Sequence, residues 1–183
     1  MTLLKVGLPL DLNRLLSNFS KIILASSSQR RLELLEKIGI KPDKVLKPDI
    51  NESSRKLHLE HKSKDLAYKK AKFVQEHYKI KNKYIIAADT IVYRSGLVYE
   101  KAKDENEVLE YLKKLSGRKH YVYGSICIIS PNNKILKKVT TTEVFFKKLS
   151  NYDLNDPELL IEGIGKAGGY AIQGKGSLLV KKI

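Results

Sequence analysis

Cysteine, tryptophan and long apolar runs are scarce or missing in this sequence, and the shortages of cysteine and of apolar runs each exclude a class of protein. The 183 residues contain one cysteine, Cys127, and no tryptophan. A single cysteine forms no internal disulfide and, with only four dispersed histidines, does not favour a structural zinc site. No apolar run approaches the roughly 20 residues that a membrane-spanning helix needs, and we expect no signal peptide. The sequence therefore favours a cytoplasmic protein of about one domain.

Acidic residues are the other group in short supply. There are 20 of them against 35 lysines and arginines, which gives a formal net charge of +15 at pH 7. Such an excess is typical of proteins that bind nucleic acids, nucleotides or other anions. Only six of the 35 basic residues are arginines, however, and a lysine-rich excess is equally typical of a solvated surface. Charge alone therefore leaves both interpretations open.

Hydrophobic residues make up 42% of the chain, enough for a substantial core, and their spacing predicts both strands and helices. Strands alternate with helices in the first half, and antiparallel hairpins dominate the second half. One strand is predicted to end at Ala88, one helix to span residues 104–115 and one short helix to span residues 153–162. This order of elements predicts an α/β protein with a mixed sheet.

The stretch LASSSQRR places hydroxyls and cations between a predicted strand and a predicted helix. A helix N-terminus presents unpaired backbone N–H groups and a partial positive charge. Ser26 and Ser28 can donate hydrogen bonds to phosphate oxygens, and Arg30 and Arg31 can each bind such oxygens through two N–H groups. The same stretch is consistent with a helix that Ser28 caps and whose arginines face solvent.

The stretch AADTIV places Asp89 directly after the apolar run that we predict to be a strand. Ligands bind at strand ends in α/β sheets, and a carboxylate there can hold Mg²⁺ or accept a proton from water. An aspartate that only caps a turn would give the same pattern. Glu52 is a second possible metal ligand, although exposed acids are common in loops.

Several other residues could be functional or structural, and their sequence context is the evidence for either. Lys70 and Lys101 are two among many lysines, for which a surface position is the ordinary expectation. Gln173 lies in the glycine-rich stretch KAGGYAIQG, where glycines let the backbone approach a ligand and the amide could read a nucleobase edge. A tight turn before the last strand would use the same glycines. His120 is expected to be a structural hydrogen-bonding group and Cys127 a core residue.

Seven stretches together resemble the Maf family of nucleoside triphosphate pyrophosphatases. They are LASSSQRR, DINE, LAYKKA, AADTIV, YEKA, LSGRKH and KAGGYAIQG, in the family's order. Each stretch is moderately specific, but seven in register are very specific, and the resemblance covers nearly all of residues 21–183. The ADT and IQG sequences resemble the branch that acts on dTTP and UTP rather than the branch that acts on 7-methyl-GTP.

The resemblance implies a mixed, twisted sheet with flanking helices and a central cleft, similar to the Maf and ITPase folds. It implies hydrolysis of a nucleoside triphosphate to the monophosphate and pyrophosphate, a divalent cation such as Mg²⁺ or Mn²⁺, and usually a homodimer. By the same match Asp89 is the catalytic proton acceptor and, with Glu52, a metal ligand. The implied substrate-binding residues are Ser26, Ser28, Arg30, Arg31, Lys70, Thr90, Lys101 and Gln173, of which Arg30, Thr90 and Gln173 are linked to substrate choice.

The N-terminal segment, residues 1–20, departs from the family's order. It contains KVGLPLDLNRLLSNF, which resembles the turn and helix that close the family's fold at the C-terminus, after a Gly-Ser-Tyr-type loop that has no counterpart here. We interpret the order as circularly permuted, with this segment completing the catalytic domain of residues 21–183. An unstructured relic of an upstream copy is the alternative.

Two rival functions remain at this point. A nucleic-acid-binding protein would use the net charge through a continuous basic face, and its affinity would fall steeply with salt. An inactive homologue would bind nucleotides without cleaving them. The polar residues of the seven stretches favour the enzyme over both.

Overall fold

The computed structural model describes residues 21–52 and 58–183. The N-terminal segment lies outside the described residues, so its role in completing the fold and the circular permutation remain predictions. Within the described ranges, no helix is long and apolar enough to cross a membrane.

Seven strands in the described residues form a mixed sheet. They are β1 Ile22–Ala25, β2 Lys44–Leu46, β3 Tyr84–Arg94, β4 Leu97–Tyr99, β5 Lys119–Ile129, β6 Ile135–Phe146 and β7 Val180–Lys182. The order is β2-β1-β3-β5-β6-β7, and β4 pairs with β3. Strand β1 runs parallel to β2 and β3, whereas the β3–β4 and β6–β7 pairs are antiparallel. The predicted mixed-sheet α/β class is confirmed.

The helices of the described part of the chain are α1 Gln29–Lys37, α2 Leu59–His77, α3 Glu105–Leu115, α4 Asn151–Leu154, α5 Pro157–Gly163 and a 3₁₀-helix Lys175–Leu179. Helix α3 begins as its sequence predicts. The Asp104 carboxylate accepts a hydrogen bond from the Glu107 backbone N–H at 2.9 Å, and the Glu107 carboxylate accepts one from the Lys103 N–H at 2.7 Å. The first contact satisfies one N–H group that the helix leaves unpaired, and the second holds the residue before the N-cap against the first turn.

The prediction that a strand ends at Ala88 is wrong, because β3 continues to Arg94. The continuation pairs with β4, from Val92 opposite Tyr99 to Arg94 opposite Leu97. Ser95 and Gly96 close the hairpin with positive φ angles of 49° and 83°, the geometry of a two-residue turn that suits twisted strands. Asp89 is therefore an interior residue of a long strand rather than the residue after a short one.

The single short helix predicted over residues 153–162 is also wrong, since α4 and α5 are separate helices. Asp156 caps α5, accepting hydrogen bonds from the N–H groups of Glu158 at 2.9 Å and Leu159 at 3.2 Å. Pro157 occupies the first helical turn. A residue that precedes proline avoids helical backbone angles, so the chain ends one helix and starts another here.

The chain divides into two compact units. The first unit comprises the described residues up to Ile50 with Lys69–Ala87 and Cys127–Leu136, and the second comprises those of Asn51–Tyr68, Ala88–Ile126 and Lys137–Ile183. All four residues of β1 are buried in the first unit. Cys127 is fully buried there, which confirms its predicted core position.

The second unit contains an apolar cluster to which several elements contribute. Helix α3 contributes Val108, Leu112 and Leu115, all fully buried, because their three- and four-residue spacing places them on one helical face. Further members of the cluster are Val92, Tyr99, Ala102, Val144, Phe146, Leu149, Leu159, Tyr170 and Leu179.

Candidate active site

A cavity of about 390 Å³ lies within the second unit and contains four of the predicted site residues. Glu52, Asp89, Thr90 and Lys101 all line it. The other lining residues are Asn51, Lys62, Leu66, Ile91, Val98, Tyr99, Glu100 and Ala167. Residues distant in sequence thus meet around one volume that is large enough for part of a small polar ligand.

Asp89 enters this cavity from the interior of β3. Strand β1 pairs with β3 only as far as Ala87, and β4 pairs with it only from Val92. Asp89 lies between the stretch of β3 that pairs with β1 and the stretch that pairs with β4, and it is 4% exposed. Burial of a carboxylate is costly unless it is hydrogen-bonded, paired or bound to a metal, so a buried acid lining a cavity indicates a functional site.

Lys101 and Glu52 form an ion pair at the same cavity. The Lys101 ammonium lies 3.1 Å from Glu52 Oε1 and 3.4 Å from Oε2. Both side chains are about half exposed, so the pair contributes at most about 1 kcal/mol to stability. Its consequence is positional, since it holds a cation and a possible metal ligand side by side.

The glycine-rich stretch packs its backbone against the chain that follows β4. Lys101 and Ala167 form an isolated β-bridge, and the Gly168 N–H donates to the Tyr99 carbonyl at 3.1 Å. Gly168 has a φ of +73°, and a Cβ there would lie 2.9 Å from Val92 Cγ1, so a larger residue would not fit. Gly168 is thus required by backbone packing next to Ala167, which lines the cavity.

The serine–arginine stretch belongs to the first unit. The buried Ser26 hydroxyl accepts hydrogen bonds from the Ser28 N–H at 3.1 Å and from Arg31 Nη1 at 3.2 Å. Ser28 occupies the N-cap position of α1, but its side chain makes no capping hydrogen bond, so the capping alternative does not describe this helix. Ser26 and Arg31 are therefore brought together, as the phosphate-binding interpretation requires, and Arg30 lies on the first turn of α1.

Lys70 also belongs to the first unit, and the surface position that composition predicts for it is wrong. The residue is 4% exposed. It lies on α2 beside the fully buried Ala71, on the face that also buries Val74, because residues three and four apart share a helical face. A buried lysine is rare without a specific role.

Gln173 lies in the second unit, but it is exposed and is not among the residues that line the cavity. The cavity therefore does not include the residue that is predicted to contact a nucleobase. Lys62, in contrast, lines the cavity although the seven stretches do not include it. Its only sequence signal is its position four residues before Leu66, which places both on one face of α2.

The donor atoms at the cavity fit a hard divalent cation. Glu52, Asp89 and Glu100 supply carboxylates, against the ammonium groups of Lys62 and Lys101, so the lining has a formal charge of −1. Carboxylate oxygens are the protein ligands that Mg²⁺ and Mn²⁺ prefer. No cluster of three acidic, histidine or cysteine residues in the described ranges could hold a metal alone. Mg²⁺ usually binds through one or two carboxylates plus substrate phosphates and water, which matches this arrangement.

Solved structures with a similar architecture include two Ham1 proteins. The Staphylococcus aureus Ham1 protein aligns with a TM-score of 0.50 and 18% identity over 86% of this chain and 90% of that one. A HAM1 protein from Coxiella burnetii aligns with a TM-score of 0.50 and 16% identity over 87% of this chain and 98% of that one. These likenesses establish the fold class alone.

Sequence comparison then assigns the family. The family model described as Maf-like protein matches residues 21–183. The dTTP/UTP pyrophosphatase of Rhizobium etli is 38% identical over 168 residues, covering 89% of this chain and 82% of that protein. The dTTP/UTP pyrophosphatase of Zymomonas mobilis subsp. mobilis is 43% identical over 157 residues, covering 85% and 76%. The chain belongs to the Maf family.

Proposed function

We propose that this protein hydrolyses dTTP, UTP or related pyrimidine nucleoside triphosphates to the monophosphate and pyrophosphate. The observation that carries the proposal is the buried acid Asp89 in a cavity that it shares with Glu52, Thr90 and Lys101. The substrate class follows from relatives named dTTP/UTP pyrophosphatase, which share 36–43% of their residues with this chain.

In the proposed reaction Asp89 accepts a proton from a water molecule that attacks the α-phosphorus. The bond between the α-phosphorus and the bridging oxygen breaks, and pyrophosphate leaves with that oxygen. One water is consumed, and the monophosphate, pyrophosphate and one proton are released. A positioned base of this kind contributes about 10²- to 10⁴-fold in rate.

Asp89 and Glu52 are the residues that would hold Mg²⁺ or Mn²⁺. A bound cation neutralises phosphate charge, which a cavity with a formal charge of −1 would otherwise repel. We expect the Lys101 ammonium to exchange its Glu52 partner for a phosphate oxygen when the nucleotide binds. Removal of divalent cations should therefore abolish hydrolysis and weaken nucleotide binding.

The remaining predicted contacts complete the proposal. Ser26, Ser28, Arg30, Arg31 and Lys70 would bind phosphate oxygens, and Thr90 and Gln173 would contribute to the choice of nucleotide. Fixed donors around a developing charge are worth roughly 3 kcal/mol each in other enzymes. We also propose a cytoplasmic homodimer, which sedimentation of the purified protein would test.

The decisive experiment measures pyrophosphate release from dTTP, UTP, dCTP, GTP and 7-methyl-GTP with and without Mg²⁺. We expect dTTP and UTP to be cleaved best. Asp89→Asn should lower kcat about 10²- to 10⁴-fold because the amide accepts no proton. Asp49→Asn changes an exposed acid and serves as the matched control.

Three other outcomes would each contradict a different part of the proposal. Absence of cleavage, with dTTP still bound, would indicate an inactive nucleotide-binding homologue. Equal rates for Asp89→Asn and wild type would remove Asp89 from the reaction. A strong preference for 7-methyl-GTP would assign the chain to the other branch of the family.

A further inference from the structure

Lys62 lies in the Asp89 cavity without a role in the proposed reaction. It lines the same volume as Asp89, Glu52 and Lys101 and is partly buried. We propose that Lys62 binds a phosphate oxygen of the triphosphate and of the pyrophosphate that leaves. The inference rests on the proposed function, because it assigns a further substrate contact at the same site.

The two lysines that line the cavity differ in their ion pairs. Lys101, the other lysine of the lining, lies within 3.4 Å of both carboxylate oxygens of Glu52. Lys62 takes part in no ion pair with another residue of the described ranges. The Lys62 ammonium can therefore bind an anionic ligand at this cavity without first breaking an ion pair with another described residue.

Lys62 lies near the N-terminus of α2, the end of a helix that favours anions. It is the fourth residue of the helix, where the helix macrodipole is positive and a cation is disfavoured. Leu66, one turn further on, lines the cavity as well, so the helix presents this face to it. A bound phosphate would be stabilised by the ammonium and by the helix N-terminus together.

The backbone that carries Lys62 is fixed to β5. The neighbouring Ser63 is fully buried; its hydroxyl donates to the Tyr123 carbonyl at 3.3 Å and accepts from the Ser125 hydroxyl at 2.6 Å. These contacts hold the first turns of α2 in place within the second unit. The start of α2 is therefore a fixed support for the Lys62 side chain at the cavity.

Lys62→Gln is the test, with Lys64→Gln on the same helix as its matched control. Residues two apart point to opposite faces of a helix, and Lys64 does not line the cavity. We expect Lys62→Gln to lower kcat/KM for dTTP at least tenfold, mainly through KM, and to raise the inhibition constant of pyrophosphate by a similar factor. Lys62→Arg should recover most of both losses, whereas Lys64→Gln should match wild type.

The experiment distinguishes failure of the role of Lys62 from failure of the proposed function. If wild type cleaves dTTP and Lys62→Gln behaves as Lys64→Gln does, the role of Lys62 is wrong and the proposed function stands. If wild type cleaves no triphosphate, the proposed function fails, and calorimetric titration with pyrophosphate and Mg²⁺ decides the role of Lys62. Weaker binding to Lys62→Gln would support it, and equal or absent binding would overturn it. Lys62→Met, which keeps the aliphatic stem, replaces Lys62→Gln in both assays if that variant does not fold.

Discussion

His120 shows how a single polar side chain is accommodated in the apolar core of the second unit. The ring is fully buried, its Nε2 lies 2.8 Å from the Tyr170 hydroxyl, and it packs edge-on against Phe146 with 4.8 Å between ring centroids. Burial lowers the pKa of His120 from 6.5 to about 4, because the charged ring would be desolvated. The histidine is therefore neutral at physiological pH and serves structure, as its sequence context predicts.

The lowered pKa of His120 predicts an acid-sensitive stability. Below pH 6.5 the unfolded chain binds a proton that the folded chain does not bind until about pH 4. The free energy of unfolding should therefore fall by roughly 3 kcal/mol between these pH values through this residue alone. Urea unfolding of wild type and His120→Gln at pH 7, 6, 5 and 4.5 measures the difference.

His120→Gln should be less stable than wild type at pH 7, but its stability should decline less steeply as the pH is lowered. His61→Gln, at an exposed position, should follow the wild-type curve and controls for the loss of a titrating group. Parallel curves for wild type and His120→Gln would show that the buried ring does not set the pH dependence.

One carboxylate of helix α5, that of Glu162, binds the backbone that follows Gln173. Glu162 Oε1 accepts the Lys175 N–H at 3.1 Å, and Oε2 accepts the Gly176 N–H at 3.1 Å. A Cβ at Gly174 would collide with the same carboxylate, so a larger residue there would displace the Glu162 side chain from these contacts. The backbone directly after Gln173 is thus held by a side chain of another element.

We predict that Glu162→Gln destabilises this connection. An amide has one oxygen acceptor, so one of the two backbone N–H groups loses its partner, at a cost of about 1–3 kcal/mol. If Gln173 contributes to nucleotide choice, the KM values for dTTP and UTP should also rise. Thermal unfolding and steady-state kinetics of the variant measure the two effects separately.

Glu158→Gln is the matched control on the same helix. Its carboxylate lies 2.8 Å from the Lys175 ammonium, but its side chain is 78% exposed, so the pair is worth at most about 1 kcal/mol. Equal losses in the two variants would mean that the backbone contacts of Glu162 have no special weight.

The sequence predicted elements where local chemistry decides them and was wrong where a partner decides them. The capping residues Asp104 and Glu107 mark the start of α3, and that helix was found as predicted. The uninterrupted course of β3 through Asp89 depends on its partner strands, and the burial of Lys70 depends on packing, neither of which periodicity reveals. At the site, the resemblance to the Maf family pointed to Glu52, Asp89, Thr90 and Lys101, which line one cavity, whereas Lys62 required the folded cavity.

The formal charge of +15 is a property of the whole molecule and bears on both of its interpretations. A net positive charge raises the encounter rate of a tetra-anionic nucleotide and also attracts any nucleic acid. The two cases differ in what the charge contacts. A nucleotide uses a small set of groups at one cavity, whereas duplex DNA needs many phosphate contacts along an extended face.

We therefore predict that salt affects catalysis mildly and DNA binding steeply. Raising NaCl from 50 to 500 mM should lower kcat/KM for dTTP severalfold with kcat unchanged, because screening acts on association. A 20-base-pair duplex should bind in the range of non-specific contacts, about 10⁻⁴ to 10⁻⁶ M at 150 mM NaCl, and should not inhibit hydrolysis at 1 µM. Steady-state kinetics and fluorescence anisotropy provide the two measurements. Nanomolar binding of the duplex would contradict this prediction. If that binding persisted in Asp89→Asn and Lys62→Gln, the cavity would not be needed for it, and the positive charge would serve nucleic-acid binding instead.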